Sequence, residues 1–327
     1  MLRFVLARLV NVPVLLVLAT LLAYVIVQSA PGSVVDNRAL QNNLSARQVE
    51  LFVSEFGLDQ PVMVQYLGWL GRALGGNLGR SLQTSQPVSE VIGRPLLNSL
   101  ALVLSSLVLI YALTALIGVT CAVRENSALD RTLGFLSAFF LGFPSFFLAM
   151  LVVSVLVQLR LATGVLVLPV GGMTSSDFEQ RPLLSQILDI AWHMLAPLLC
   201  VTVIQVATLS RLLRAQMLEF LGQDFIRTAR AKGLNERIVV YRHALRNALV
   251  PFVATFGATL PALVGGAGLI EVVFNWPGIT TTLLEAVNFK DFFVFIGLIA
   301  VSCTLLIVGN LIADLLLARI DPRIRYA

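Results

Sequence analysis

The chain has 327 residues, of which 57% are hydrophobic and only 13% are charged. That balance leaves too little polar surface to cover a soluble globule of this size, so the composition indicates a membrane protein. The net charge of +5 could suggest nucleic-acid binding, but no polar domain gathers the basic residues together, and their distribution fits membrane orientation better.

Stretches free of charged residues are the clearest signal, because a transmembrane helix needs ~20 mostly apolar residues. Six runs qualify: Leu9 to Val35, Pro95 to Val123, Thr132 to Leu159, Ile190 to Ser210, Asn247 to Ile270, and Phe292 to Ala313. The first is longer than the apolar core of a signal peptide and is predicted to be a retained helix. A seventh run, Leu161 to Ser176, is short and rich in Gly and Pro, which predicts an external loop.

The distribution of Lys and Arg predicts the orientation of these spans. With a cytoplasmic N-terminus, 15 of the 23 basic residues lie in inside segments and 8 in outside segments. Because short cytoplasmic loops are enriched in Lys and Arg, both termini are predicted to face the cytoplasm. The predicted class is therefore an all-α membrane protein with six transmembrane helices.

The outside segment 30–94 is long enough to fold on the membrane surface. Ser45 followed by Gln48 is a capping-box pattern that opens a helix, and Gly57 can close it. Pro61 then starts a second short helix, in which Tyr66, Trp69 and Leu70 are interpreted as interfacial anchors. A loosely packed lid without a ligand role remains an equal alternative.

The inside segment between the fourth and fifth spans is the most informative. In a helix starting near Asp224, Phe225 and Ala229 share one face with Ile226, and Arg227 and Arg230 share the opposite face. The next two features are a glycine and a capping asparagine, Gly233 and Asn235, which predict helix, tight turn, helix. From the residues alone, an amphipathic helix that meets anionic lipid and a docking element for a cytoplasmic partner are both open.

This segment resembles the cytoplasmic "EAA" loop of bacterial ABC-importer permeases. The strings at residues 224–233 and 243–251, Asp-Phe-Ile-Arg-Thr-Ala-Arg-Ala-Lys-Gly and His-Ala-Leu-Arg-Asn-Ala-Leu-Val-Pro, are similar to those of the dipeptide, oligopeptide and nickel permease family. Arg227 replaces the acidic residue of the generic pattern and Arg246 its proline, as in the peptide-permease subclass. Further similarity covers nearly the whole chain and favours the first permease of the pair.

The resemblance implies a type I importer architecture in the bacterial inner membrane, with a long external segment after helix 1. The implied divisions are 1–29 for the N-terminus and first span, 30–94 for the external segment, 95–317 for the five-helix core containing the 211–246 coupling loop, and 318–327 for the tail. It also implies a second permease, one or two ATPase subunits and an extracytoplasmic binding protein as partners. ATP and Mg would be bound by the ATPase and no cofactor by this chain.

The resemblance also implies which residues couple the chain to its ATPase. They are Asp224, Phe225, Arg227, Ala229, Arg230, Gly233 and Glu236. The family transports mostly short peptides, and nickel or another small solute is the alternative cargo.

Small residues in the fifth run supply a second candidate site. Gly257, Pro261 and Gly265 repeat every four residues and Gly268 follows, a pattern that allows close helix approach or local unwinding. They are predicted to form the seam with the second permease or to line the pathway, and ordinary packing is the alternative. The string around Trp276, Pro277 and Gly278 resembles the family's external bend between the last two spans.

Enzymatic and metal chemistry have little support in the sequence. The lysines Lys232 and Lys290 are followed by Gly and Asp, so no P-loop is present and ATP hydrolysis is assigned to another subunit. The three cysteines lie in apolar runs and the two histidines are 50 positions apart, which leaves no zinc ligand set. An intramembrane enzyme built on Asp189, Glu271 or Asp314 and a passive channel are the rival classes, but the three carboxylates lie near the ends of spans.

Overall fold

The computed structural model describes residues 2–29, 45–254 and 267–320, and the described ranges contain no β-strand. Its helices are α1 (Leu2–Ser29), α2 (Ala46–Phe56), α3 (Val62–Leu74), α4 (Val88–Val123), α5 (Ala128–Leu141), α6 (Ser145–Thr163), α7 (Leu183–Leu221), α8 (Asp224–Ala231), α9 (Glu236–Ile238), a π-helix here called π1 (Val239–Ala244), α10 (Leu245–Ala254), α11 (residues 267–273), α12 (Ile279–Asn288) and α13 (Phe292–Ile320). The all-α class is confirmed.

Four described helices are long and apolar enough to cross a membrane. They are α4, α6, α7 and the Phe292–Ile312 part of α13. The apolar part of α1, Pro13–Ser29, is shorter, and the predicted fifth span lies partly outside the described residues. The six-span count therefore stays a prediction.

The predicted third span, Thr132 to Leu159, is not one helix. The chain leaves the helical conformation between α5 and α6, where Pro144 has φ −61° and ψ 141°. Proline has no N–H to donate and disfavours the helical conformation of the preceding residue, here Phe143. The whole run is free of charged residues, so the absence of charge alone does not reveal the break.

Helix α7 is longer than its predicted span, Ile190 to Ser210. At 39 residues it extends to about 58 Å, whereas the hydrocarbon layer is about 30 Å thick. Its last turns, from Arg211 to Leu221, continue as helix into what the sequence interpretation treated as the start of the 211–246 loop. The described residues of this loop thus begin as a rigid extension of a membrane helix.

Two compact units divide the chain. The first comprises residues 1–99 and 277–308, and the second comprises residues 100–276 and 309–327. In the first unit, the predicted capping box of Ser45 and Gln48 is confirmed, as is the left-handed Gly57 that ends α2. Pro61 is confirmed as the residue before α3.

The predicted anchoring role of Tyr66 and Trp69 is wrong. Both side chains are buried, with 3% and 1% of their surface exposed. The Tyr66 hydroxyl donates to the Val17 carbonyl of α1 at 3.0 Å, and Trp69 Nε1 donates to the Leu78 carbonyl at 3.1 Å. A buried aromatic residue with a polar tip needs such a partner, so these residues hold the first unit together.

The core of the second unit joins α4, α7, α8, π1 and α10. Leu213 and Met217, on the extension of α7, are fully buried in it. Helices α4 and α7 approach closely here. A Cβ added at Gly118 would lie only 3.0 Å from the Leu213 Cβ, so glycine permits this distance. The extension of α7 is thereby part of the packed core.

Candidate coupling site

The predicted helix, turn and second helix of the coupling segment are confirmed in the structure. Helix α8 ends at Ala231, and Gly233 takes the left-handed conformation with φ +75°. The Gly233 N–H donates to the Arg230 carbonyl at 2.9 Å and the Leu234 N–H to the Ala229 carbonyl at 3.4 Å. Asn235 Oδ1 accepts from the Arg237 N–H at 2.9 Å and caps the following turn. Glycine adopts the left-handed conformation at low cost, which explains its presence at this position.

A narrow stripe attaches α8 to the rest of the second unit. Ile226 and Ala229 are buried in the same cluster as Met217 of α7 and Val239 and Val240 of π1. Phe225, predicted to share this face, is 38% exposed, so that part of the prediction is wrong. Phe225 lies about 100° around the helix axis from Ile226, so the two side chains do not both face the core here.

The charged residues of α8 pair with one another or with the next turn. Arg230 Nη2 donates to Glu236 Oε1 at 2.7 Å, and its Nε donates to Oε2 at 3.1 Å. This pairing lowers the pKa of Glu236 and raises the pKa of Arg230. Arg227 Nη1 lies 3.2 Å from Asp224 Oδ1, with both side chains largely exposed. Arg230 and Glu236 therefore close the turn around Gly233.

A π-helical turn connects the coupling segment to α10, and the sequence interpretation missed it. The Leu245 N–H donates to the Val240 carbonyl, five residues earlier, at the end of π1. The buried side chains of Val239, Val240 and Ala244 face the core. Turns of this kind occur often at functional sites because they change the direction of side chains within a continuous helix. No residue pattern in π1 identifies it in advance.

A bidentate ion pair joins the start of α5 to the extension of α7. Arg214 Nε and Nη2 donate to Asp130 Oδ1 and Oδ2 at 2.7 and 2.8 Å. Asp130, 6% exposed, also accepts from the Asn126 N–H at 3.0 Å. The hydrogen bonds from Arg214 hold the pKa of Asp130 below its ordinary value. The two residues are 84 positions apart, and nothing in the sequence couples them.

Exposed apolar side chains surround the coupling turn. Leu234 is 39% exposed, and Ile238 and Tyr241 line an open groove. With Phe225, four apolar residues of this short segment remain uncovered. Such surface on a polar segment is typical of a place where a partner binds.

The predicted seam residues Gly257, Pro261 and Gly265 lie outside the described residues. Gly268 lies in α11 and is buried. The bend after α11 is present: Trp276 is fully buried, and its backbone N–H donates to the Glu271 carbonyl at 2.7 Å. Pro277 and Gly278 precede α12, and Gly278 occupies its N-cap position.

The predicted external loop packs against this bend within the second unit. The Gly172 N–H donates to the Phe274 carbonyl at 2.8 Å. A Cβ added at Gly171 would come within 3.0 Å of the same oxygen. Gly171 therefore permits the close approach of the two backbones, and Gly172 has the left-handed φ of +80° that favours glycine.

Asp189 and His193 form a structural cluster at the start of α7. The Asp189 carboxylate accepts from the Ser175 N–H and hydroxyl at 2.8 and 2.6 Å and from Arg181 Nη1 at 2.9 Å. His193 Nδ1 lies 2.9 Å from the Asp189 carbonyl oxygen. Within the described ranges, no group of three His, Cys, Asp or Glu residues could hold a metal ion. Because their polar groups are engaged in hydrogen bonds within the chain, a structural role is favoured for Asp189 and His193.

Replacing Asp130 tests the ion pair that anchors α7. Asp130→Asn should destabilise the chain by roughly 1.5 to 3 kcal/mol at pH 7, because hydrogen bonds to a charged group are lost. Since the pKa of Asp130 is lowered on folding, its contribution is present at pH 7, begins to decline as the pH approaches the ordinary aspartate pKa of about 4, and is lost as the pH falls further through the lowered pKa. Thermal unfolding in detergent between pH 7 and pH 3 should show the two proteins converging.

The matched control is Asp177→Asn, which removes a carboxylate from an exposed ion pair with Arg181. Solvent screens such a pair, so its loss should leave the unfolding temperature unchanged. An equal loss of stability in both variants, or a difference between Asp130→Asn and the unmodified protein that stays constant from pH 7 to pH 3, would contradict the assigned role of Asp130.

Two family descriptions together cover almost the whole chain. Residues 1–114 match "Binding-prot-dependent transport system membrane comp, N-term", and residues 114–326 match "Binding-protein-dependent transport system inner membrane component". The division falls inside α4. The second match alone includes the coupling segment, the π-helix and the external bend.

Curated relatives match over nearly their full length. The oligopeptide transport system permease protein AppB of Bacillus subtilis is 36% identical over 319 residues, which are 97% of each chain. The dipeptide transport system permease protein DppB of Escherichia coli K12 is 33% identical, with 100% of this chain and 99% of the relative covered. DppB of Lactococcus lactis is also 33% identical, with 99% and 100% covered. The chain therefore belongs to the binding-protein-dependent inner membrane components, the permease family of ABC peptide importers.

Proposed function

We propose that this chain forms half of the translocation pathway for short peptides and couples it to a separate ATPase through the segment Asp224–Glu236. The observation that carries the proposal is the construction of α8. Its buried stripe binds it to the membrane helices, while its other faces and the Gly233 turn stay exposed. A surface held rigidly by the core and open to a partner is what a coupling element requires.

The contacts around α8 supply a route for the coupling motion. Ile226 and Ala229 pack on π1 and on the extension of α7. That extension is in turn held to α5 by the ion pair of Asp130 with Arg214. A displacement of α8 by the ATPase would therefore move packed helices, because close-packed side chains transmit strain. Permeases of this family are not themselves enzymes, and ATP and Mg are assigned to the ATPase.

The proposed assembly contains a second permease, one or two ATPase subunits and an extracytoplasmic binding protein. We place the chain in a bacterial inner membrane with six spans and both termini in the cytoplasm. The excess of basic residues on the proposed cytoplasmic side supports this orientation. In this arrangement the external segment 30–94 and the bend at Trp276 face the binding protein's side.

Short peptides are the proposed cargo because the relatives are named for oligopeptides and dipeptides. Import of nickel or another small solute by the same kind of complex is the second candidate, because the family that the sequence resembles also contains nickel permeases. A passive channel would not need a segment built like α8 and its turn.

Gly233 offers a direct test of coupling, because a Cβ added there would meet no atom of the chain within 4 Å. Gly233→Asp and Gly233→Asn have the same size, both tolerate the left-handed conformation, and they differ in charge. We expect Gly233→Asp to abolish uptake of labelled dipeptides and tripeptides while the amount of permease in the membrane stays normal. Gly233→Asn should retain a measurable part of the uptake.

The same cells provide the control for partner binding, through pulldown of the ATPase with the permease. Gly233→Asp should reduce the recovered ATPase in parallel with uptake. If that variant imports peptide and retains ATPase like the unmodified protein, the segment is not the coupling element. If the unmodified protein takes up nickel and no peptide, the proposed cargo is wrong and the proposed coupling is unaffected.

The orientation has a separate test in a background without Cys121, Cys200 and Cys303. The exposed positions Thr84 and Gln223 each receive a single cysteine. Thr84→Cys should react with an impermeant thiol reagent in intact cells whose outer layers admit the reagent. Gln223→Cys should react only after the membrane is opened. The opposite pattern would invert the topology.

A further inference from the structure

A pocket of about 490 Å³ opens between the ends of α4, α5 and α7, within the second unit. One part of its wall is polar, formed by Asp130, Arg131, Arg211 and Arg214. Another part is apolar and includes Ile117 and Leu133. The pocket is thus lined by both charged and apolar side chains, and its volume lies in the range of small-molecule sites.

The position of the pocket along the helices matches the edge of a membrane. The charge-free run of α7 ends at Ser210, which lines the pocket directly before Arg211. On α5, Arg131 likewise precedes the charge-free residues that start at Thr132. Both helices therefore change from apolar to charged at the level of the pocket, where lipid headgroups meet the acyl chains.

The net charge of the pocket wall is positive even when the ion pair within it is included. Asp130 is engaged by Arg214, so the wall has three arginines against one carboxylate. Glu125 is close enough to act on Arg214, and with it the excess falls to one positive charge. Two of the five N–H groups of Arg131 donate to the Asn126 carbonyl, which leaves three. Arg211 is exposed.

We infer that this pocket binds an anionic phospholipid, with its phosphate between Arg131 and Arg211 and its glycerol and upper acyl chains along Ile117 and Leu133. Cationic pockets between membrane helices are suited to such headgroups. A free phosphate ion has no apolar part that could contact the apolar wall, whereas a phospholipid has. The bound lipid would fill the space between α5 and α7 beside the Asp130 and Arg214 pair. It would thereby join the two helices that this pair already connects.

The test measures lipids retained by the permease complex purified in detergent. Micelles contain equal amounts of phosphatidylglycerol and phosphatidylcholine, and native mass spectrometry counts the lipids that stay bound. The unmodified complex should retain phosphatidylglycerol in preference. The double variant Arg131→Gln with Arg211→Gln should retain roughly tenfold less phosphatidylglycerol, because each basic residue near an anionic headgroup strengthens the binding of the lipid.

The matched control is Arg124→Gln with Arg237→Gln, which removes two arginines that line a neighbouring pocket. It should retain phosphatidylglycerol normally, because the change in total charge is identical but the inferred site is intact. The ion pair of Asp130 with Arg214 is present in both doubles, and size-exclusion profiles verify that both are folded.

Three results would overturn the inference. One is equal retention of the two lipids by the unmodified complex. Another is equal loss of phosphatidylglycerol in both double variants, which would indicate general surface charge. The third is full displacement of the lipid by millimolar inorganic phosphate, which would indicate a site for a free anion.

Discussion

The burial of Ile226 and Ala229 against π1 and α7 is the contact on which the coupling segment depends. A helix as short as α8 is not stable by itself in water, because its few hydrogen bonds do not offset the cost of nucleation. Fully burying a side chain such as Ile226 contributes roughly 1.5 to 3 kcal/mol. Tertiary packing therefore decides that residues 224–231 form a helix, and it fixes which faces remain available to a partner.

The two ion pairs near this contact differ in strength because they differ in exposure. Arg230 and Glu236 are about half exposed, and a pair of that kind contributes about 0 to 1 kcal/mol. It orders the turn without holding α8 in place. The Asp130 carboxylate is buried and accepts two hydrogen bonds from the Arg214 guanidinium. Removing the carboxylate would leave polar groups unpaired. The packing and the buried pair thus form a connected path from α8 through α7 to α5.

Local features of the chain could be predicted from the sequence, because their causes lie within a few residues. The capping box at Ser45, the left-handed Gly233 and the cap at Asn235 each follow from the conformation or hydrogen bonds of neighbouring residues. The break at Pro144 is equally local, but the run around it has no charged residue, so a prediction based on charge continues the helix through it. The order of apolar runs also predicted the all-α class.

The missed features depend on distant parts of the chain. Arg214 pairs with Asp130 across 84 positions, and π1 contacts four other helices, α7, α8, α9 and α10. Tyr66 and Trp69 are residue types typical of interfacial anchors. In the structure they are buried in the first unit, where they donate hydrogen bonds to the Val17 and Leu78 carbonyls. An amphipathic aromatic residue suits either environment, and only the tertiary fold decides between them.

Photo-crosslinking at Phe225 tests the central claim, that the exposed side of α8 meets the ATPase. A photoreactive phenylalanine analogue replaces Phe225 in one protein and Phe135 of α5 in another, since both side chains are exposed. Irradiation of cells should link the permease to the ATPase from position 225 and not from position 135. Absence of an ATPase adduct at position 225, or equal adducts from both positions, would contradict the account.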